Sequence, residues 1–488
     1  IGDWSSDVCS SDLDPKTEKR TREAGMHLWY IVRFDKDADL KEAARQLRKL
    51  GEISKIQSNP TLQRAYDPKK KTLYLSASDL QHVTRTSEGL TFNDPGLKHQ
   101  WHYRNAGNYD FVKKDRAEAI AGADVNCGEA WELCKGDPSI IVAVLDEGVM
   151  WSHPDLIANM WTNEAEEIGS TEDKDGNGYK GDRYGYNFVK NTGVISWTSA
   201  DDTGHGTHVA GTIAAENGNS IGVSGIAGGD GNTGSGVKIM TCQLFDGQYG
   251  ATLAAEAKAI KYAADNGAVV LQCSWGYNSP DANEALGYVP GPKNEQDWEN
   301  QYPLEKEALD YFIHNAGSPN GVIDGGLAIF ASGNEYAPSS SFPAGYSKCI
   351  SVSAIAADYT PSSYTNYGAE ITLCAPGGDG DYYGTPGVAD DEFAWEGKTQ
   401  GLILSTAIKN GQYAYAYMEG TSMACPHVSG VAALGLSYAV KQRRHFKAEE
   451  FIELMKITAR DDFYQTYDEK VEKLYYYNHT TFEIGRAS

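Results

Sequence analysis

Five strand-length runs of apolar residues, separated by longer stretches of helical spacing, constrain this 488-residue chain more than any other feature. They are Ile140–Leu145, Val237–Cys242, Ala268–Cys273, Leu327–Ala331 and Cys349–Ala354. A run that is apolar throughout, such as Ile140–Leu145, fits a strand buried on both faces of a parallel sheet. Between the runs, Leu253–Asn266 and Leu304–Asn315 space their apolar side chains as helices do. The alternation predicts an α/β fold: a doubly wound, mostly parallel sheet with helices on both faces. Functional residues in such sheets gather at the carboxyl ends of the strands.

Three segments carry chemistry. Leu145-Asp146-Glu147-Gly148 puts a carboxylate at the end of the first run. Alone this is weak, because Asp is common at turns. In Asp202–Gly211, glycines flank His205 just before a small-residue helix, letting the backbone pack closely around the imidazole. Glu419–Gly430 opens a second small-residue helix, with Ser422 at its start. There the helix dipole and free N–H groups can stabilise an oxyanion, although a serine at that position can equally be an N-cap.

Taken together and in this order, the motifs resemble the subtilase superfamily, over about Asn93 to Arg460. The resemblance implies a subtilisin-like serine endopeptidase that hydrolyses peptide bonds through an acyl-enzyme. Asp146 would orient the imidazole, His205 would act as general base and Ser422 would attack the scissile carbonyl. Ala331-Ser-Gly-Asn334-Glu resembles the family's oxyanion segment, which implies that Asn334 donates to the developing oxyanion with the Ser422 N–H. Ser274-Trp275-Gly276 resembles the substrate-binding edge, where a peptide backbone pairs as an added strand. His208 and His427 are expected to be packing residues, and Glu335 to sit beside the S1 pocket. Two features depart from the family pattern. Glu147 stands where a small hydroxyl residue is usual, and insertions at Asn278–Tyr302 and Gly378–Gly401 are expected as surface loops near the cleft.

Asp173-Lys-Asp-Gly-Asn-Gly-Tyr-Lys-Gly-Asp182 spaces oxygen donors as in the first half of an EF-hand-like loop, with Tyr184 where the twelfth-position Glu belongs. Comparable loops in subtilases hold calcium, which makes Asp173, Asp175, Asn177 and Asp182 candidate ligands of a structural calcium ion. The alternative is a solvated acidic loop.

Residues 14–92 read as a propeptide fragment and junction, ahead of a catalytic domain at 93–482. Met26–Ser58 has a strand–helix–strand pattern in His27–Phe34, Ala38–Leu50 and Ile53–Ile56, and residues 66–95 read as a polar linker. The resemblance implies a zymogen whose own propeptide acts as an intramolecular inhibitor until cut within Arg64–Pro95. Residues 1–13 and 483–488 resemble translated sequencing adapters rather than parts of a fold. The gene product is therefore expected to be cut at both ends. A missing signal peptide then does not argue against a secreted protein, extracellular or periplasmic.

A net charge of −24 disfavours nucleic acid as a partner and leaves a protein or peptide substrate. No apolar run approaches the ~20 residues of a membrane span. Eight cysteines, one of them (Cys9) in the adapter-like tail, leave seven, with no CxxC pair. That disfavours a disulfide framework and a zinc site, although Cys127 and Cys134 are spaced to face each other across a helix. Two other readings stand beside the peptidase. One is a peptide macrocyclase on the same fold, with Asn278–Tyr302 as a lid. The other is a catalytically inactive binding protein, which the presence of Asp146, His205, Ser422 and Asn334 disfavours.

Overall fold

The computed structural model of the chain describes residues 3–7, 15–35, 37–63, 72–75, 80, 91–107, 119–199, 201–380 and 401–460. Near its start, Asp3–Asp7 (β1), within the adapter-like residues, pairs antiparallel with Tyr30–Arg33 (β2). Helices Glu18–Glu23 (α1) and Leu40–Leu47 (α2) lie on either side of β2 in the chain. Asp39 caps α2 by accepting from the backbone of Lys41 and Glu42, the usual way to satisfy free N–H groups at a helix start. The strand expected at Ile53–Ile56 is not formed. That stretch runs as irregular chain tied by side chains, Lys55 to Glu307 at 2.7 Å and Gln57 to the Leu304 amide at 2.8 Å. Part of the expected linker is ordered differently too, because Leu73–Leu75 (β3) is a strand.

The apolar runs become one eight-stranded sheet. In chain order its strands are Ile141–Glu147 (β4), Gly185–Asn187 (β5), Lys238–Asp246 (β6), Tyr249–Gly250 (β7), Val270–Cys273 (β8), Leu327–Ala331 (β9), Ile350–Ile355 (β10) and Leu373–Pro376 (β11). Their order across the sheet is β11-β10-β9-β8-β4-β6-β5, all parallel, with β7 antiparallel on β6. Later strands flank β4 on both sides, β6 and β5 on one and β8 to β11 on the other. The carboxyl end of β4 therefore lies at the topological switch point, where open α/β sheets form their crevice.

Side-chain period explains the burial. Val142 and Val144 of β4 point into one core with helices His205–Ala214 (α4) and Thr421–Lys441 (α8). Ala143 and Leu145 point into the other, with Leu253–Asp265 (α5) and Pro303–Asn315 (α7). Helix α8 runs across β4, β8, β9, β10 and β11. By length and composition α8 could cross a membrane, which the sequence reading did not anticipate, but 78% of its apolar stretch is buried inside the fold. Its small apolar residues serve the core. A separate antiparallel sheet holds Ile403–Lys409 (β12), Gln412–Met418 (β13) and β3, with β13 central.

The insertion at Asn278–Tyr302 is more than a surface loop, since helix Glu295–Gln301 (α6) buries Trp298 completely. Most of the second insertion lies outside the described residues. Cys127, which opens helix Cys127–Leu133 (α3), and Cys134 just past it are free thiols, as are the other five described cysteines.

Candidate active site

Asp146 is the last residue but one of β4, His205 is the first residue of α4, and Ser422 is the second residue of α8; all three are buried. His205 Nδ1 lies 2.8 Å from Asp146 Oδ1 and 3.0 Å from Oδ2. Asp146 Oδ1 also accepts from the Glu147 amide at 2.7 Å, which fixes the carboxylate's rotation. A carboxylate held this way selects the imidazole tautomer with its proton on Nδ1, leaving Nε2 as a base. Gly206 makes the approach possible, because a Cβ there would lie 2.4 Å from the Glu147 carbonyl oxygen. Gly420, at φ 145°, turns the chain into α8 in a conformation other residues rarely adopt.

Ser422 sits beside Ser274 at the end of β8. Its hydroxyl donates to the Ser274 carbonyl oxygen at 3.3 Å, and the Ser274 hydroxyl donates to the Ser422 carbonyl oxygen at 2.8 Å. Asn334 follows β9. Its Oδ1 accepts from both the backbone N–H and the hydroxyl of Thr421 at 2.9 Å, which turns its NH₂ donor away from that pair. Asn334 and Ser422 thus meet at the start of α8. Ser274 and Trp275 are buried and used internally, the Trp275 indole donating to the Leu145 carbonyl oxygen at 2.8 Å. Any role of this edge toward a substrate therefore rests on its backbone. Glu335 accepts from Asn366 at 2.5 Å.

His208 and His427 are structural, as expected. His208 Nε2 lies 3.1 Å from the carbonyl oxygens of Ile403 and Ala416, and burial pushes its pKa down to about 3. His427 Nδ1 bonds the Met423 carbonyl oxygen and Nε2 the His102 ring, each at 2.7 Å, and burial lowers its pKa to about 4.

The acidic loop is only partly as expected. Carboxylate oxygens of Asp173 and Asp175 converge with one from Glu166 within 4.8 Å. Glu166 lies outside the motif and only the fold brings it near. Three converging carboxylates repel one another, and hard oxygen donors of this kind fit a cation such as calcium. Asn177 and Asp182 turn elsewhere. Asp182 accepts from Tyr262 at 2.7 Å and from Asn177 and Asn163 at 3.0 Å, and burial lifts its pKa to about 6. It does not join the three converging carboxylates.

A sequence profile of the Subtilase family matches residues 137–475. The thermophilic serine proteinase of Bacillus sp. (strain AK1) is 30% identical over 305 residues, 62% of this chain and 54% of that protein. An extracellular protease of Xanthomonas campestris is 28% identical over 421 residues, 84% of this chain and 57% of that protein. The chain spans about half the length of such curated relatives. Among solved structures, the Aeromonas sobria serine protease superposes with a TM-score of 0.53 at 21% identity, covering 78% of this chain and 60% of its own. The epidermin leader peptide processing serine protease of Staphylococcus aureus does so with a TM-score of 0.53 at 22% identity, covering 86% and 84%. At such identities the likeness speaks to the fold.

Proposed function

Because this chain belongs to the subtilase family, we propose that it is a serine endopeptidase with Asp146, His205 and Ser422 as its triad. The observation that carries the reading is the 2.8 Å Asp146–His205 contact in the corner where Ser422 and Asn334 meet. In the reaction the Ser422 hydroxyl turns from the Ser274 carbonyl toward His205 Nε2, gives up its proton there and attacks the substrate carbonyl. The resulting imidazolium is stabilised by Asp146. Negative charge developing on the carbonyl oxygen is met by the Asn334 amide and the Ser422 N–H at the positive end of α8. His205 then protonates the leaving amine, and water hydrolyses the acyl-enzyme by the reverse path. The backbone at Ser274–Gly276 would pair with the substrate as an added strand.

The N-terminal residues act as a propeptide. What supports this is their attachment to the two outer helices, Arg20 to Asp265 of α5 at 2.7 Å and Trp29 to Glu307 of α7 at 2.5 Å. The chain then lies along the start of α5, with Leu253 N donating to the Pro60 carbonyl oxygen at 3.0 Å and Leu62 N to that of Ala251 at 2.8 Å. An extended, backbone-paired segment is what a peptidase accepts, and the cut is expected beyond it within Arg64–Pro95, largely outside the described residues. Glu166, Asp173 and Asp175 would hold a calcium ion, which would neutralise their mutual repulsion. The extracellular names of relatives support secretion.

A fluorophosphonate that labels this chain, and fails to label Ser422→Ala, meets the central expectation. Labelling undiminished in Ser422→Ala refutes it. Product masses separate the macrocyclase, since hydrolysis adds one water and cyclisation does not.

A further inference from the structure

The carboxylate of Glu147 lies next to the catalytic pair, and the mechanism above does not use it. Successive residues of a strand point to opposite faces, so Glu147 ought to face away from the helix that Asp146 meets. The register of β4 against β6 shifts between Asp146 and Glu147, and the irregularity aims both side chains at the start of α4. Glu147 is buried, with Oε2 accepting from the amides of Thr203 at 3.0 Å and His205 at 3.1 Å. Its Oε1 accepts from the Thr203 hydroxyl at 3.1 Å.

Helix α4 needs this. Its N-cap is Gly204, at φ 75°, which has no side chain to satisfy the first amides and makes no cap bond. A carboxylate at a helix start gains from the dipole, and bonds from amides to a charged acceptor are stronger than neutral ones. His205 is therefore held twice by adjacent residues of one strand, its ring by Asp146 and its main chain by Glu147. Among the described residues, the α4 N-cap itself supplies no side-chain cap bond.

We propose that Glu147 is a positioning residue for His205, capping α4 so that the imidazole is presented to Ser422 at a fixed depth and angle. The assignment rests on the reading of His205 as the general base. A base displaced by a fraction of an ångström costs rate steeply, because proton transfer depends on near-attack geometry. Substrate binding does not depend on it.

The test is steady-state peptide hydrolysis by the full chain, well below its melting temperature. Glu147→Gln, which keeps the shape and one acceptor, should lower kcat about tenfold. Glu147→Ala should lower it about a hundredfold, with KM within about twofold of the parent in both variants. The rate of fluorophosphonate inactivation, which needs the base but few peptide contacts, should fall in step with kcat. Glu147→Gln guards against a misfolded Glu147→Ala, since it alone must show the split between kcat and KM. A fall confined to KM, or kcat unchanged in folded Glu147→Gln and Glu147→Ala, overturns the assignment while the peptidase reading stands. Turnover that survives Ser422→Ala overturns both.

Discussion

At the carboxyl end of β4, two side chains 59 positions apart in sequence meet at 2.8 Å, whereas four candidate ligands within ten consecutive residues at Asp173–Asp182 part company. The difference lies in what aims each side chain. Asp146 and His205 project from a central strand and a buried helix whose backbones are set by packing on both sides, so their meeting needs no ligand. In the loop, Asp173 and Asp175 converge on Glu166, whereas Asp182 is held by Tyr262 and Asn177. Loop side chains choose among near neighbours; element side chains are delivered.

The sharpest way to break this contrast is at the delivered site. Asn334→Ala should lower kcat by about 10²–10³ with KM nearly unchanged, because its bond to the oxyanion forms only in the transition state. A loss confined to KM would mean that Asn334 binds substrate, and that the corner at α8 is less preorganised than its hydrogen bonds imply.

The loop can be tested more finely. If Glu166, Asp173 and Asp175 hold calcium, the ion binds the folded state and saturating calcium should raise Tm on the order of 5 °C. Glu166→Gln and Asp175→Ala should abolish that response, while Asp182→Asn should retain it even if the variant melts lower. Calorimetry with calcium and chelator decides, and a response abolished by Asp182→Asn but kept in Glu166→Gln would restore the ligand set expected from the motif.

A smaller effect probes a second buried corner, between α5 and α7. Glu305 accepts from Trp298 at 2.5 Å and from Tyr277 at 3.2 Å, and faces Glu256, whose carboxyl has no donor turned to it among the described residues. Burial is the main cause that pushes Glu305 up to about 7 and Glu256 well above the ordinary carboxyl range. As a neutral acid Glu256 can donate to Glu305, so the pair holds a proton that the unfolded chain would release. Glu305's part of this contribution is fully present below the unfolded value of about 4.5 and is lost as pH rises through about 7. Tm should fall by about 3 °C across that window, and Glu256→Gln, which supplies a permanent N–H donor, should flatten the fall. A slope unchanged in Glu256→Gln would place its origin elsewhere, for instance at Asp182.

Much of this was legible in the chain of residues. Apolar runs at 140–145 and 268–273 required two-sided burial wherever they were placed, and glycines around His205 and before Ser422 marked close backbone approach. These signals are local: period, run length and the need for a missing Cβ act within a few residues, so sequence alone determined five of the sheet's eight strands and the elements that carry Asp146, His205 and Ser422. Tertiary structure alone decided which neighbours those elements acquire. The shift at Asp146/Glu147 that turns Glu147 onto α4, the burial of Trp298 within an insertion and the capture of Lys55 by Glu307 all join residues across elements. No pattern within one segment encodes them, because a polar side chain's partner is set by whichever group the packing of the apolar core carries into its reach.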